Sequence, residues 1–197
     1  MSVRGQLLAL QWAQLKHDEA YHKDIVVMPL AQRMKHMALH NAKYTAYFLD
    51  TAQKQDSERR QRVLIDAFII VLVVANVLNQ DLGADVEGGD AAPSLQELGA
   101  RLANAAAREP HDPFWIVHQY IQHNGRLAKL CESWDHLEAV PFREGMKDAN
   151  LALFRAVLAE AATQDMDVED SYRIRLRAVE ARSIFDSYFR ESAGGEA

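Results

Sequence analysis

Nine consecutive apolar residues, Ala67 to Ala75, lie inside a segment from about Glu58 to Leu78 that has no glycine or proline. A helix that is apolar all round is satisfied only at the centre of a packed body, with other helices on every side. The run is less than half of the about 20 residues needed to cross a bilayer, so it predicts a core helix, with no membrane as partner. The rest of the chain can supply the surrounding helices. Of its 197 residues 49% are hydrophobic, and only five are proline and nine glycine, a balance that favours helix over strand.

Helical periodicity places those neighbours. A first helix is expected over Val3 to His22. The following stretch, Lys23 to Pro29, carries Ile25, Val26 and Val27 and reads as either helical or extended. The next helix runs from about Leu30 to Gln53, with Met34, Met37, Tyr44 and Phe48 on one face and Lys35, Ala46 and Asp50 away from it. GADVEGGDAAP, Gly83 to Pro93, is the clearest linker. Beyond it a helix is expected from Ser94 to Arg108, with Ser94 as N-cap and Glu97 completing a capping box. After Pro110 and Pro113 another begins near Phe114 and extends toward Glu138. Pro141 breaks the chain, and helices over Phe142 to Gln164 and Val168 to Arg190 precede a tail, SAGGEA, expected to fray. The fold class is therefore all-α, a helical bundle.

Two segments look like copies. His40-Asn41-Ala42-Lys43 and His123-Asn124-Gly125-Arg126 each lead into a second helix that ends in Gln-Asp, at Gln80-Asp81 and Gln164-Asp165. The offset is 83–84 residues. A repeated helical hairpin packs its apolar side against its twin. Residues 1–83 form one repeat, 84–93 the linker and 94–197 the other, the two packed as one domain. Aligned from the Gln-Asp ends, Asp66 falls opposite Asn150, each at the start of an apolar helix. A polar group there needs a partner, since leaving it unsatisfied costs about 1–3 kcal/mol. The partner is either another helix or a ligand.

Formal charge is −6, from 22 basic and 28 acidic residues, with the basic ones dispersed. Nothing in that pattern suits a nucleic-acid duplex. One cysteine, Cys131, excludes an intramolecular disulfide, and residues 1–14 lack the features of a secretory signal; together they suggest a cytoplasmic protein.

The most suggestive polar face is on the helix approaching Glu138. Glu132, Asp135 and His136 stand at i, i+3 and i+4, with Lys129 one turn earlier and Leu127, Leu130, Trp134 and Leu137 opposite. Two carboxylates so spaced could share Mg²⁺, which takes oxygen ligands; the same spacing describes an ordinary solvated face. His40 and His123 lie at or within the apolar faces of their helices, where a histidine serves as a hydrogen-bonded core residue or as a ligand. Glu19-Ala-Tyr-His22 has the Glu-x-x-His spacing of di-iron bundles but no second copy. Arg173, Arg175, Arg177, Arg182 and Arg190 on the last helix could grip phosphate, or pair with Glu169, Asp170, Glu180 and Asp186.

Together these residues resemble the all-α nucleoside triphosphate pyrophosphatases, the group of the MazG proteins and the dimeric dUTPases. That family carries an E-x-x-E pair, an E-x-x-D pair one helix later, a short turn with an aspartate, and a basic helix. Glu132-Ser-Trp-Asp135 resembles the first pair, Asp167 the turn aspartate, and Arg175 and Arg182 the basic residues. In the amino-terminal copy, Asp66 and the segment Ala75 to Leu82 resemble the end of the second pair and its helix. The chain departs from the pattern where Ala149 and Ala152 replace E-x-x-D, with Asp148 the nearest acid, and where Val63 stands three residues before Asp66.

The resemblance implies a nucleotide pyrophosphohydrolase that forms a monophosphate and pyrophosphate. Glu132, Asp135 and Asp66 would be catalytic, and Mg²⁺ would sit on Glu132, Asp135 and Asp148. Lys129, His123, Asn150, Arg175 and Arg182 would contact the nucleotide, with Asn76 an alternative to Asn150 at the base. A homodimer is a candidate assembly. The missing acids leave open a catalytically inactive relative that binds a nucleotide or a partner protein.

Overall fold

Thirteen side chains of the helix that contains the apolar run are buried, among them Phe68, Val71, Leu72 and Val74, so the run lies where its composition requires. The computed structural model describes residues 2–86, 92–109 and 112–188. Its elements are α1 (Val3–Tyr21), α2 (Lys23–Val26), α3 (Leu30–Lys54), α4 (Ser57–Leu78), α5 (Leu82–Asp85), α6 (Leu95–Ala105), α7 (Trp115–Asp135), α8 (Phe142–Thr163) and α9 (Val168–Glu180). No strand occurs among the described residues, and the fold is an all-α helical bundle.

Local chemistry sets several boundaries. Ser2, Asp56, Asp81, Ser94 and Asp167 each accept a hydrogen bond from a backbone N–H three residues on, which starts α1, α4, α5, α6 and α9. Gln55 and Asn79 take left-handed backbone conformations, with φ of 54° and 51°, and end α3 and α4. Of the capping box, Ser94 makes its bond to the Glu97 N–H, while the Glu97 carboxylate accepts from Arg101 at 2.6 Å.

The helices α3 and α4 form one hairpin, joined by Gln55 and Asp56, and α7 and α8 form another. They pack antiparallel, α3 on α7 and α4 on α8. Lys35 meets Asp135 at one end of the first pair and Phe48 meets Tyr120 toward the other. In the second pair Phe68 lies against Phe154, and Arg60 reaches Glu160. The flanking helices follow the same plan, α1 against α4 and α6 against α8, while α9 closes over α4 and α1. At the α6–α8 crossing a Cβ on Gly99 would lie 2.9 Å from the Leu158 carbonyl oxygen, so the close approach requires glycine.

Buried polar groups tie the hairpins together. Arg60 donates through Nε and Nη2 to one Glu160 oxygen, at 2.9 and 2.6 Å, and Arg108 donates to the other at 3.1 Å. Asn150 donates to the Val71 carbonyl at 3.2 Å and to Gln80 Oε1 at 3.0 Å. Asn124 donates to the Ala38 carbonyl at 3.1 Å.

Of the two forms open to the stretch after α1, residues 23–26 take the helical one, held by bonds from Ile25 and Val26 N–H to the His22 carbonyl. Other boundaries differ from expectation. The last helix stops at Glu180, and beyond it Asp186 takes both terminal nitrogens of Arg177, at 2.5 and 2.6 Å. The helix α7 stops at Asp135, and Leu137 beyond it has a φ of 54°. By length and composition α4 could cross a membrane, with a mean hydropathy of 2.1, and 67% of its most apolar window is buried inside the fold. Arg190, the SAGGEA tail, Pro110 and the centre of the expected linker lie outside the described residues.

Candidate functional site

A cavity of about 500 Å³ opens between the end of α1, the α2 turn and helices α3, α4 and α9. Its apolar wall comes from α4, where Ile69, Ile70 and Val73 stand beside Asp66. Helical spacing explains the grouping: positions 66, 69, 70 and 73 share one face, turned away from the Phe68 face that meets α8.

From α3 come His36 and His40, one turn apart, with their Nε2 atoms 3.0 Å from each other. Lys43 Nζ lies 3.2 Å from His40 Nδ1. An ammonium can only donate, so His40 Nδ1 accepts and its Nε2–H donates to His36. Burial, then the charge of Lys43, holds the His40 pKa down at about 4, which leaves the ring neutral at pH 7. Asp66 receives Arg175 from α9 through two bonds, Nε to Oδ1 at 2.5 Å and Nη2 to Oδ2 at 2.9 Å. This fork raises the Arg175 pKa. Burial and then the Asp66 charge push the nearby Tyr44 phenol well above its ordinary range.

The end of α1 closes the third side. His17 is buried, with Nδ1 3.1 Å from a Glu180 oxygen of α9. Asp18 accepts from Gln14 Nε2 at 2.8 Å, and burial raises its pKa against the opposing pull of that bond. Arg33 reaches across to the Val26 carbonyl, while its Nε is buried with no partner among the described residues. The cavity thus combines cations, imidazoles and three carboxylates, Asp18, Asp24 and Asp66, over an apolar wall. It can take an anion, a metal ion or both.

Of the residues expected to form a site, Asp66 and Arg175 meet in this cavity. Glu132 points outward and is paired with Lys129 at 3.0 Å, while Lys129 lies 3.5 Å from Glu138. Asp135 pairs with Lys35 at 2.5 Å, and Asp148 with Arg126 at 3.4 Å. Each of these acids is exposed on its own cation, and as placed the three do not fit one shared Mg²⁺. Asn150 is committed to Val71 and Gln80, and Arg182 is exposed in the turn after α9. Both amide atoms of Asn76 are bonded to Gln11. The Glu19 carboxylate pairs with Lys16.

His123 lies in a second cleft, of about 610 Å³, formed by α6, α7 and α8. There Ala152, Arg155, Ala156 and Ala159 of α8 stand as Asp66, Ile69, Ile70 and Val73 stand on α4, and Gln119 and His123 of α7 stand as His36 and His40 stand on α3. By helical spacing along the two linings, Ala152 is the α8 position that corresponds to Asp66 on α4. Asn150, expected opposite Asp66, is turned toward α4 instead.

Sequence reasoning passed over His17, Asp18, His36, Arg33 and Lys43. His36 carried a usable signal, since it stands one helical turn before His40; His17 and Asp18 carried none until α9 and α3 closed over them. Comparison with known proteins gives no match, neither to a family model nor, with significance, to a curated protein or a solved structure.

Proposed function

We propose that the cavity between α1, α3, α4 and α9 binds a small phosphate-bearing molecule, of which a nucleotide is the class that the residue resemblance suggests. The observation that carries this reading is the Asp66–Arg175 fork inside a cavity that also presents Arg33 and Lys43. A guanidinium held flat by a carboxylate is preorganised for the two oxygens of a phosphate, which can compete with Asp66 for it. The volume falls within the range of small-molecule sites, and Ile69, Ile70 and Val77 supply an apolar surface for a base or sugar.

Thermal unfolding of the full chain in EDTA, against a panel of nucleoside mono-, di- and triphosphates and inorganic pyrophosphate, tests the reading. A ligand of the native state raises the midpoint by mass action. At least one phosphate compound should do so in the parent chain and fail in Arg175→Ala; a flat response across the panel rejects the proposal.

A Mg²⁺-dependent nucleotide pyrophosphohydrolase is the second reading, and Asp66, a carboxylate inside the cavity, favours it. Glu132, Asp135 and Asp148 stand elsewhere, so Asp66 would have to work with different partners from those the resemblance implies. Pyrophosphate release from deoxynucleoside triphosphates with Mg²⁺, abolished by Asp66→Asn and retained by Glu132→Ala, would favour it over binding alone.

A further inference from the structure

We infer that His17, Asp18 and His22 hold a divalent transition-metal ion of the zinc class at the α1 end of the cavity. One ligand atom from each lies within 4.8 Å of the other two, and all three residues border the cavity. Zinc takes nitrogen and carboxylate oxygen at about 2.0–2.2 Å, which puts ligand atoms about 3.5 Å apart round a tetrahedral ion, so closing this triad is a side-chain adjustment. Two imidazoles with one carboxylate select zinc, cobalt or iron over magnesium, which prefers oxygen.

The fold prepares this arrangement. The helix α1 ends at Tyr21, and His22, with a φ of −129°, leaves the helical path while its N–H still bonds the Asp18 carbonyl at 2.9 Å. That turn brings the His22 ring back beside His17, with centroids 5.3 Å apart. His17 is further fixed by stacking on Tyr21 at 4.9 Å. Glu180 engages His17 Nδ1, so Nε2 is the nitrogen that would take the metal, and a carboxylate on the distal nitrogen is the usual partner of a metal-bound histidine. Glu180 is itself held by Arg177 at 3.1 Å. Asp18 is half-buried, and its Oδ1 accepts from Gln14 Nε2 at 2.8 Å, which steadies the carboxylate at the mouth of the triad.

Three protein ligands leave a fourth position for water or a ligand oxygen. A phosphate held by Arg175 could supply that oxygen, a step that rests on the proposed function. The metal site itself stands without it.

The test uses Co²⁺ alone as a visible probe, titrated into the full chain after EDTA treatment and removal of the chelator, with no nucleotide present. One equivalent should saturate with a tetrahedral-type visible spectrum and be displaced by Zn²⁺. The signal should weaken at least tenfold in His22→Ala, whose half-buried position tolerates truncation, and vanish in His17→Gln/His22→Ala, with helicity by circular dichroism kept as the check on folding. It should persist in His36→Gln/His40→Gln. Absence of saturable Co²⁺ binding, or binding unchanged in the His17/His22 variant, overturns the inference. Because nucleotide binding is measured separately in EDTA, failure here leaves the phosphate reading untouched.

Discussion

The cavity on the amino-terminal hairpin and the cleft on the carboxy-terminal one are built on the same helical faces and differ in what those faces carry. Asp66 on α4 stands where Ala152 stands on α8, and His36 on α3 where Gln119 stands on α7; only the histidine at the next turn, His40 or His123, is common to both. The third wall differs as well. In the first cavity α1 and α9 add His17, Asp18, His22 and Arg175, while in the second α6 adds Arg101 among small and apolar residues. Two similar hairpins can therefore share a core while one outer face gathers acids as well as cations and the other carries Arg101, His123 and Arg155 with no acid in its lining. Core packing fixes the inner faces, and the outer ones are free to differ.

The joint between the hairpins should be the most sensitive place. Glu160→Ala leaves Arg60, and with it Arg108, without its buried carboxylate, and urea unfolding should show a loss of about 3–5 kcal/mol. A loss below about 1 kcal/mol would mean that water already reaches the pair.

The difference between the cavities should next appear in binding. Arg175→Ala should weaken whichever phosphate ligand raises the midpoint by tenfold or more, about 1.4 kcal/mol, whereas Arg155→Ala in the second cleft should leave it unchanged. Equal effects of the two substitutions in a calorimetric titration would erase the functional distinction.

A smaller effect concerns the shared histidines. His40 is held at about 4 by burial, by Lys43 and by His36, against the opposing charge of Asp66, while an unfolded histidine titrates near about 6.5. Between these values the unfolded chain binds a proton that the folded chain does not, so stability is full above about 6.5 and falls as the pH drops toward 4. Midpoints measured across that window should decline less steeply in His40→Gln. His123 is lowered in the same direction, by burial and by Arg126, and His123→Gln should flatten the profile less.

The smallest effects belong to the exposed acids. Glu132→Ala and Asp148→Ala should leave midpoint and ligand binding within experimental error, since each belongs to a surface pair that salt and water already weaken. A lost activity in Glu132→Ala would return the site to α7.

The legibility of the chain follows the same division. Helix positions were readable because apolar periodicity, caps and breakers act within a few residues, as at Ser94 and across Ala67 to Ala75. Glu132 and Asp135 looked like a site for a related reason, since helical spacing shows that two carboxylates share a face without showing what that face meets. It meets Lys129 and Lys35, the latter from α3, 100 residues away in sequence. Loop ends are a poor guide to packed faces: Asp66 lines the outer cavity, while Asn150, aligned with it from the Gln-Asp ends, turns inward to Val71 and Gln80.

By itself, then, the sequence determined that this protein is a helical bundle with a fully buried central helix, because local periodicity and the exclusion of apolar side chains from water are written residue by residue. Only the tertiary structure decided which polar residues meet. Glu180 reaches His17 across 163 positions and Arg175 reaches Asp66 across 109, and contacts of that range arise from how helices cross, which no local pattern encodes.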